Sequence, residues 1–170
     1  MLTLRSRDRA TLRVMKKPNR ILIASVLTGL TWIVQVGAQE KKIQRSDLPA
    51  AVQKTVDEQS KGATVKGFST EVEDGKKIYE VELTVNGHGK DISMDSQGHV
   101  LEIEEEVSME SLPSAVKDGL TKAAGKGTIQ KVESLTKNGK LVAYEAQLKT
   151  GTKSSEIQVG PDGKKLAHPE

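Results

Sequence analysis

The chain has 170 residues, of which 26 are basic, 23 are acidic and none is cysteine. Residues 1–38 hold seven of the basic residues and one of the acidic residues, so the remainder has 19 basic and 22 acidic residues and is mildly acidic. It also lacks a basic stripe with interleaved aromatic residues, so no nucleic-acid partner is expected. Without cysteine there is neither a disulfide bond nor an acylated N-terminal cysteine.

The N-terminal segment is typical of an export signal. Basic residues precede an uncharged, mostly apolar run over residues 21–36, and the small residue Ala38 ends a cleavage signature. The run is shorter than the roughly 20 residues that a membrane span needs, which favours a cleaved signal peptide over a retained anchor. We therefore expect a signal peptide over residues 1–38, with translation starting at Met15, and a periplasmic or secreted product that has no membrane contact after cleavage.

The remainder contains one pattern twice. Leu48-Pro49-Ala50-Ala51-Val52 returns as Leu112-Pro113-Ser114-Ala115-Val116, and Tyr79-Glu80-Val81-Glu82-Leu83 returns in the same order as Tyr144-Glu145-Ala146-Gln147-Leu148. After a flexible lead over 39–46, the copies span 47–107 and 108–170. A unit of about 60 residues buries too little surface to be robust alone, so the two copies are expected to share a core.

Each copy is predicted to open with a helix. Ser46 or Asp47 caps the first helix ahead of Pro49, and Ser111 caps the second ahead of Pro113. Apolar residues at helical spacing give each helix one inward stripe, formed by Leu48, Val52 and Val56 in the first copy and by Leu112, Val116 and Leu120 in the second.

The hydrophobic period then changes to two, which predicts strands separated by Asn-Gly and Asp-Gly hairpin turns. The fold class is α+β, with each helix packed on an antiparallel meander of three to four strands. The two units can form one continuous sheet or separate lobes, and the continuous sheet is favoured because it closes an exposed edge. The predicted strands are 65–73, 78–85, 91–95 and one around Leu101 and Ile103, then 129–136, 141–148, 155–159 and a shortened last strand.

These motifs resemble the tandem PepSY-like group, which is compared in fold with the β-lactamase inhibitor proteins. The matching features are the Leu-Pro-x-Ala-Val helix opening, the strand that begins at Tyr79, and the turn Asp95-Ser96-Gln97-Gly98-His99-Val100-Leu101. The second copy is looser, because Gly160 replaces the aspartate of the turn. The resemblance implies an extracytoplasmic, non-catalytic protein of an often inhibitory or chaperone-like kind.

Carboxylates are the candidate binding groups. Glu80 and Glu82 share one strand face, and Glu102 and Glu104 share another. Such a face can be simply solvated, can dock a basic protein, or can collect hard cations such as calcium. No specific metal site is assigned. Tyr79 and Tyr144 are either core anchors or binding residues at the rim of an interface.

Nothing in the sequence indicates catalysis. There is no nucleophile elbow, no zinc-protease motif and no phosphate loop, so no catalytic residue and no cofactor are assigned. His88 and His99 fall in predicted surface turns, too few for a zinc site. We expect an exported, non-catalytic binding protein, a monomer or weak oligomer with a protein partner and an inhibitory role toward an envelope or secreted enzyme. The alternative is a cation-binding or envelope-stress protein that uses the acidic strand faces.

Overall fold

A computed structural model describes residues 40–170 of the chain. The predicted signal peptide over residues 1–38 lies outside the described residues. Within residues 40–170, no helix has both the length and the apolar character that crossing a bilayer demands.

The described residues form eight strands and two α-helices in a simple order. Short 3₁₀ turns at Arg45–Asp47 and Met109–Ser111 precede the two helices. The elements are β1 (Lys41–Ile43), α1 (Ala50–Gln59), β2 (Thr64–Glu73), β3 (Lys76–Val85), β4 (His88–Met94), β5 (Val100–Glu106), α2 (Ser114–Ala124), β6 (Thr128–Lys137), β7 (Lys140–Thr150) and β8 (Lys153–Val159).

All eight strands belong to one antiparallel sheet in which the spatial order equals the sequence order. Strand β5 joins the two parts of the sheet, because it pairs with β4 on one side and with β6 on the other. The predicted α+β class and the favoured continuous sheet are confirmed. The hairpin turns are also where the sequence predicts them: Asp74, Asn86 and Asn138 each adopt a positive φ directly before a glycine, as the tightest hairpin turns require.

Both helices lie on the same face of the sheet and each covers its own apolar cluster, so within residues 40–170 the two parts share a sheet and not the single core that was expected. Val52 and Val56 of α1 are fully buried against side chains of β3 and β4, including Val81 and Ile92. The second cluster is formed by α2 with β6, β7 and β8; its buried members are Leu112, Val116, Leu120, Val132, Ala146, Leu148 and Val159. The predicted apolar stripes of the two helices are therefore the residues that hold them on the sheet.

The structure corrects two local predictions. Lys41–Ile43 lies in the segment expected to be flexible, yet it forms β1 at the sheet edge, where Ile43 pairs with Phe68 and packs on the first cluster. Neither helix is capped as predicted: α1 begins at Ala50 and α2 at Ser114, and the predicted caps Ser46, Asp47 and Ser111 lie in the preceding 3₁₀ turns. A residue before proline is held out of helical geometry, and Leu48 is accordingly extended, with φ −74° and ψ 140°.

Candidate functional site

The face of the sheet opposite α1 and α2 is the candidate site, and we call it the acidic face. Side chains alternate between the two faces along each strand, so the register assigns every strand residue to one face. Tyr79 and Val81 point toward α1, whereas the intervening Glu80 lies on the acidic face. The acidic side chains that the same alternation places on the central strands of this face are Glu80, Glu82, Asp91, Glu102, Glu104, Glu106, Glu133 and Glu145.

Several of these carboxylates are direct cross-strand neighbours. Glu82 of β3 pairs with Asp91 of β4, and Asp91 pairs with Glu104 of β5. On the next strand Glu104 is opposite Leu135. Cross-strand partners in antiparallel sheets have Cβ atoms only about 5 Å apart, and like charges at that distance repel each other. The row Glu82, Asp91 and Glu104 therefore concentrates negative charge across three adjacent strands.

Two lysines lie among these carboxylates and each is already paired. Lys131 Nζ lies 2.7 Å from Glu133 Oε1, and Lys137 Nζ lies 3.4 Å from Glu102 Oε2. Glu133 is only 3 % exposed, whereas the side chain of Lys131 is 32 % exposed, so the carboxylate of this ion pair is buried and the lysine is partly solvated. Acid still outweighs base across the central strands after both pairs are counted.

Three carboxylates of the acidic face, those of Glu80, Asp91 and Glu104, have strongly raised pKa values. Burial, reinforced by the charge of Asp91, raises the pKa of Glu80 to about 7. Burial and the charge of Glu133 raise the pKa of Asp91 to about 6 and that of Glu104 to about 8. In addition, Asp91 Oδ1 is buried and has no hydrogen-bond partner among the described residues. A cation or a hydrogen-bond donor close to these three side chains would stabilise their ionised forms.

Asp91, Glu104 and Glu133 converge tightly enough to share one cation. One carboxylate oxygen from each lies within 4.8 Å of the others. Oxygen ligands of this kind suit hard divalent cations such as Ca²⁺, with water completing the coordination. The sequence analysis did not find this group, because Glu133 reaches Glu104 only through the pairing of β5 with β6. The alternation of Glu133 with Val132 was visible, but the register between those strands was not.

The four predicted glutamates do share one face. Glu80 and Glu82 on β3 and Glu102 and Glu104 on β5 lie on the two sides of β4. Glu82 is exposed and the other three are half-buried, so the face is not simply solvated. Buried apolar residues also lie on it, among them Ile78, Leu135 and Ala143.

The two tyrosines lie on the opposite side of the sheet from the glutamates. Tyr79 is 6 % exposed within the first apolar cluster, and Tyr144 is partly buried against the second. The core-anchor interpretation fits them, and neither can contribute to a contact made by the acidic face. The reason is the pleat itself, since Tyr79 and Glu80 are adjacent in sequence and must point to opposite faces.

The histidines of the turns are exposed and lie apart from the three converging carboxylates. His99 Nδ1 lies 3.0 Å from Asp95 Oδ2 with its side chain 70 % exposed, and His88 Nδ1 lies 3.9 Å from Glu106 Oε1. Asp95 also accepts hydrogen bonds from the backbone N–H groups of Gln97 and His99, which shape the turn between β4 and β5. Their role in this structure is local.

Comparison with known proteins gives one family. The sequence profile described as "Putative beta-lactamase-inhibitor-like, PepSY-like" matches residues 31–102 and again residues 77–164. No curated protein matches the chain.

Several solved structures share the fold at low sequence identity. A BLIP-like protein of Bacteroides fragilis is 19 % identical, with 70 % of this chain and 83 % of that chain covered and a TM-score of 0.52. A protein of Bacteroides eggerthii described as "putative periplasmic" is 17 % identical, with 70 % and 86 % covered and a TM-score of 0.57. A DUF2874 family protein of Bacteroides ovatus is 17 % identical, with 70 % and 84 % covered and a TM-score of 0.55.

Proposed function

The chain belongs to the PepSY-like family, and on this premise we propose that it is an exported, non-catalytic binding protein whose acidic face docks a protein with a basic surface. The observation that carries the proposal is the row Glu82, Asp91 and Glu104, where three carboxylates are direct neighbours across adjacent strands. A partner that brings lysine or arginine side chains to this row relieves the repulsion and supplies charge complementarity.

The proposed partner is an envelope or secreted enzyme that the binding inhibits. The description of the family and the name of the Bacteroides fragilis neighbour support this form of the function by analogy of fold. The proposed location is the periplasm or the exterior, which the description of the Bacteroides eggerthii neighbour and the export signal over residues 1–38 support.

We further propose that the two parts of the sheet are copies of one helix-plus-meander unit. Supporting this, Gly98 and Gly163 both adopt φ +77° and both lie against the first turn of a helix, at the carbonyls of Ala51 and Ala115 respectively. The two alanines occupy the same position of the repeated Leu-Pro-x-Ala-Val pattern, and each glycine lies in the turn that follows the third long strand of its own copy, β4 or β8. This glycine turn therefore has the same packing role in both copies.

The experiment is a pull-down from envelope extract with residues 39–170 as bait. We expect a specific protein to be retained at low salt and released as salt rises, because exposed charge pairs are screened. In the test variant the four glutamates are replaced: Glu80→Gln, Glu82→Gln, Glu102→Gln and Glu104→Gln. In the control variant four exposed acids outside the acidic face are replaced: Glu58→Gln, Asp74→Asn, Glu110→Gln and Asp118→Asn. Equal capture by the two variants would contradict the proposal.

A second candidate function is cation binding by Asp91, Glu104 and Glu133. Their convergence within 4.8 Å and the unpartnered Oδ1 of Asp91 favour it. Under this function millimolar Ca²⁺ raises the melting temperature, because a ligand that binds only the folded state stabilises it. The Asp91→Asn variant loses that response, whereas Asp162→Asn, in an exposed turn, keeps it. A melting curve that does not respond to divalent cations would exclude this candidate.

A further inference from the structure

We propose that the acidic face holds its partner by an arginine side chain that enters a small pocket between β1 and β2. The proposal rests on the binding function above and deepens it, since it names the anchor group of the partner and the place where it binds. The pocket has a volume of about 190 Å³ and lies at the edge of the sheet, and Asp91, Glu104 and Glu133 are not among its lining residues. Its lining residues among those described include Glu40, Lys42, Gly67, Ser69, Glu80 and Glu82.

The pocket exists because the backbone is irregular there. Strand β1 pairs with β2 only over Phe68–Thr70, and a bulge between Val65 and Gly67 shifts the register of β2 against β3. Bulges bend a strand and re-aim its side chains. A space that a regular sheet would fill is therefore left open. It is surrounded by the bulged end of β2, the short strand β1 and the carboxylates of β3.

Gly67 forms an open floor for this space. A Cβ at Gly67 would meet Glu82 Oε2 at 3.6 Å, an ordinary contact, and the φ angle of Gly67 is not in the left-handed region. Neither the backbone conformation nor a clash therefore requires glycine at this position. Glycine leaves open the space that a side chain would occupy. It does so although a glycine in a strand interior lowers the stability of the strand. A glycine inside a strand marks a bulge, as it does here, or a site where a ligand or another chain approaches closely, and at Gly67 the open space beside the bulge permits the second as well.

The charges around the pocket favour a cationic guest. The carboxylates of Glu40, Glu80 and Glu82 outnumber the ammonium groups of Lys42 and Lys66. None of the ion pairs within residues 40–170 involves Glu80 or Glu82. Directly opposite Glu80 on the neighbouring strands are Ser69 and Ser93, neither of which carries a positive charge. Burial, reinforced by the charges of nearby carboxylates such as Asp91 and Glu40, raises the pKa of Glu80 to about 7. A cation beside Glu80 would favour its ionised form.

Size and geometry select arginine among cationic groups. The volume of about 190 Å³ is below the roughly 300–1,000 Å³ of pockets that hold drug-sized ligands, but it suits one long side chain. Glu80 and Glu82 are two residues apart on one strand face, so their carboxylates can flank a single planar group. A guanidinium offers several N–H donors in a fixed fork and can engage both carboxylates, which an ammonium does less well.

In the test, an acetylated peptide of alternating glycine and arginine is titrated into the isotopically labelled protein. The amide signals of the protein are followed by NMR. The Gly67 and Ser69 amide signals are expected to shift saturably, and the matching glycine–lysine peptide is expected to bind at least threefold more weakly. Gly67→Val fills the floor and should weaken binding of the arginine peptide at least fivefold. Gly89→Val is the matched control. Gly89 is also a strand glycine on the acidic face, and a Cβ there would meet Glu106 Oε2 at 3.5 Å, but Gly89 lies outside the pocket.

Glu82→Gln provides a second test that leaves the backbone untouched, because Glu82 is exposed, and it should also weaken binding at least threefold. If the peptide shifts amides of β4–β6 but not Gly67, and binds Gly67→Val and Gly89→Val equally well, the pocket proposal is wrong while the binding function stands. If the peptide shifts no amide of the acidic face, the binding function fails and the pocket proposal fails with it.

Discussion

Thr55 donates a 2.8 Å hydrogen bond from its hydroxyl to the carbonyl of Gly98, and this bond ties α1 to the turn between β4 and β5 across 43 residues of sequence. The turn lies against the helix backbone: a Cβ at Gly98 would be 2.6 Å from the carbonyl oxygen of Ala51. Only glycine therefore allows this approach. The Asp-x-x-Gly turn that carries the family resemblance is thus a packing device that holds the helix on the sheet.

Gly98→Ala is expected to lower the free energy of unfolding by about 2–4 kcal/mol. The substitution adds left-handed backbone strain of about 1–2 kcal/mol and forces the turn away from Ala51. Gly75→Ala is the matched control, because Gly75 has φ +75° and nothing within 4 Å of the added Cβ. Urea unfolding of both variants isolates the contact with the helix from the backbone strain. Equal losses in the two variants would show that the turn does not hold α1.

Lys131→Met tests the buried ion pair of the acidic face. The substitution leaves the carboxylate of Glu133, 3 % exposed, without the ammonium 2.7 Å away. We expect a loss of about 1–3 kcal/mol, because the substitution leaves a buried carboxylate without its partner charge.

The control for Lys131→Met is Lys164→Met, which breaks a pair of the same 2.7 Å length whose side chains are 85 % and 57 % exposed. Exposed pairs contribute little, so no measurable change is expected there. Thermal melts of both variants check the prediction. A Lys131→Met protein as stable as the parent would show that the ion pair with Glu133 does not contribute to stability.

Local patterns in the sequence were sufficient to predict the fold class, the two helices, the hairpin turns and the order of strands β2–β8. Each of these depends on a few neighbouring residues, such as the Asn138-Gly139 pair or the spacing of Val52 and Val56. Strand β1 was not predictable in this way. Three residues are too few for an alternating pattern, and only the pairing of Ile43 with Phe68 gives the segment its structure.

The acidic face was predictable in composition but not in burial. Alternation alone places Glu80, Glu82, Glu102 and Glu104 on one face. The register between β5 and β6, two strands separated by α2, decides the burial of this face. It places Glu104 opposite Leu135 and leaves Glu133 nearly inaccessible. Register between distant strands is a property of the whole sheet, and a one-residue slip would turn Glu133 to the other face.

The raised pKa values of the acidic face make stability fall as pH rises. The folded-state pKa values of Glu80, Asp91 and Glu104 are about 7, 6 and 8, above the roughly 4 of unfolded carboxyl groups. Between about pH 4 and pH 8 the folded chain therefore binds more protons than the unfolded chain, and unfolding releases them. The free energy of unfolding must then decrease as pH rises through this window.

The melting temperature is accordingly expected to be several degrees higher at pH 6 than at pH 8, the reverse of the usual effect of paired carboxylates. Glu104→Gln should flatten this dependence and stabilise the protein at pH 8, by about 1–2 kcal/mol after allowance for solvent screening. Glu58→Gln, an exposed residue of α1, is the control and should leave the pH profile unchanged. A parent protein that melts at a higher temperature at pH 8 than at pH 6 would show that these carboxylates ionise in the folded state without loss of stability. The proposal of a cationic partner would then lose its electrostatic basis.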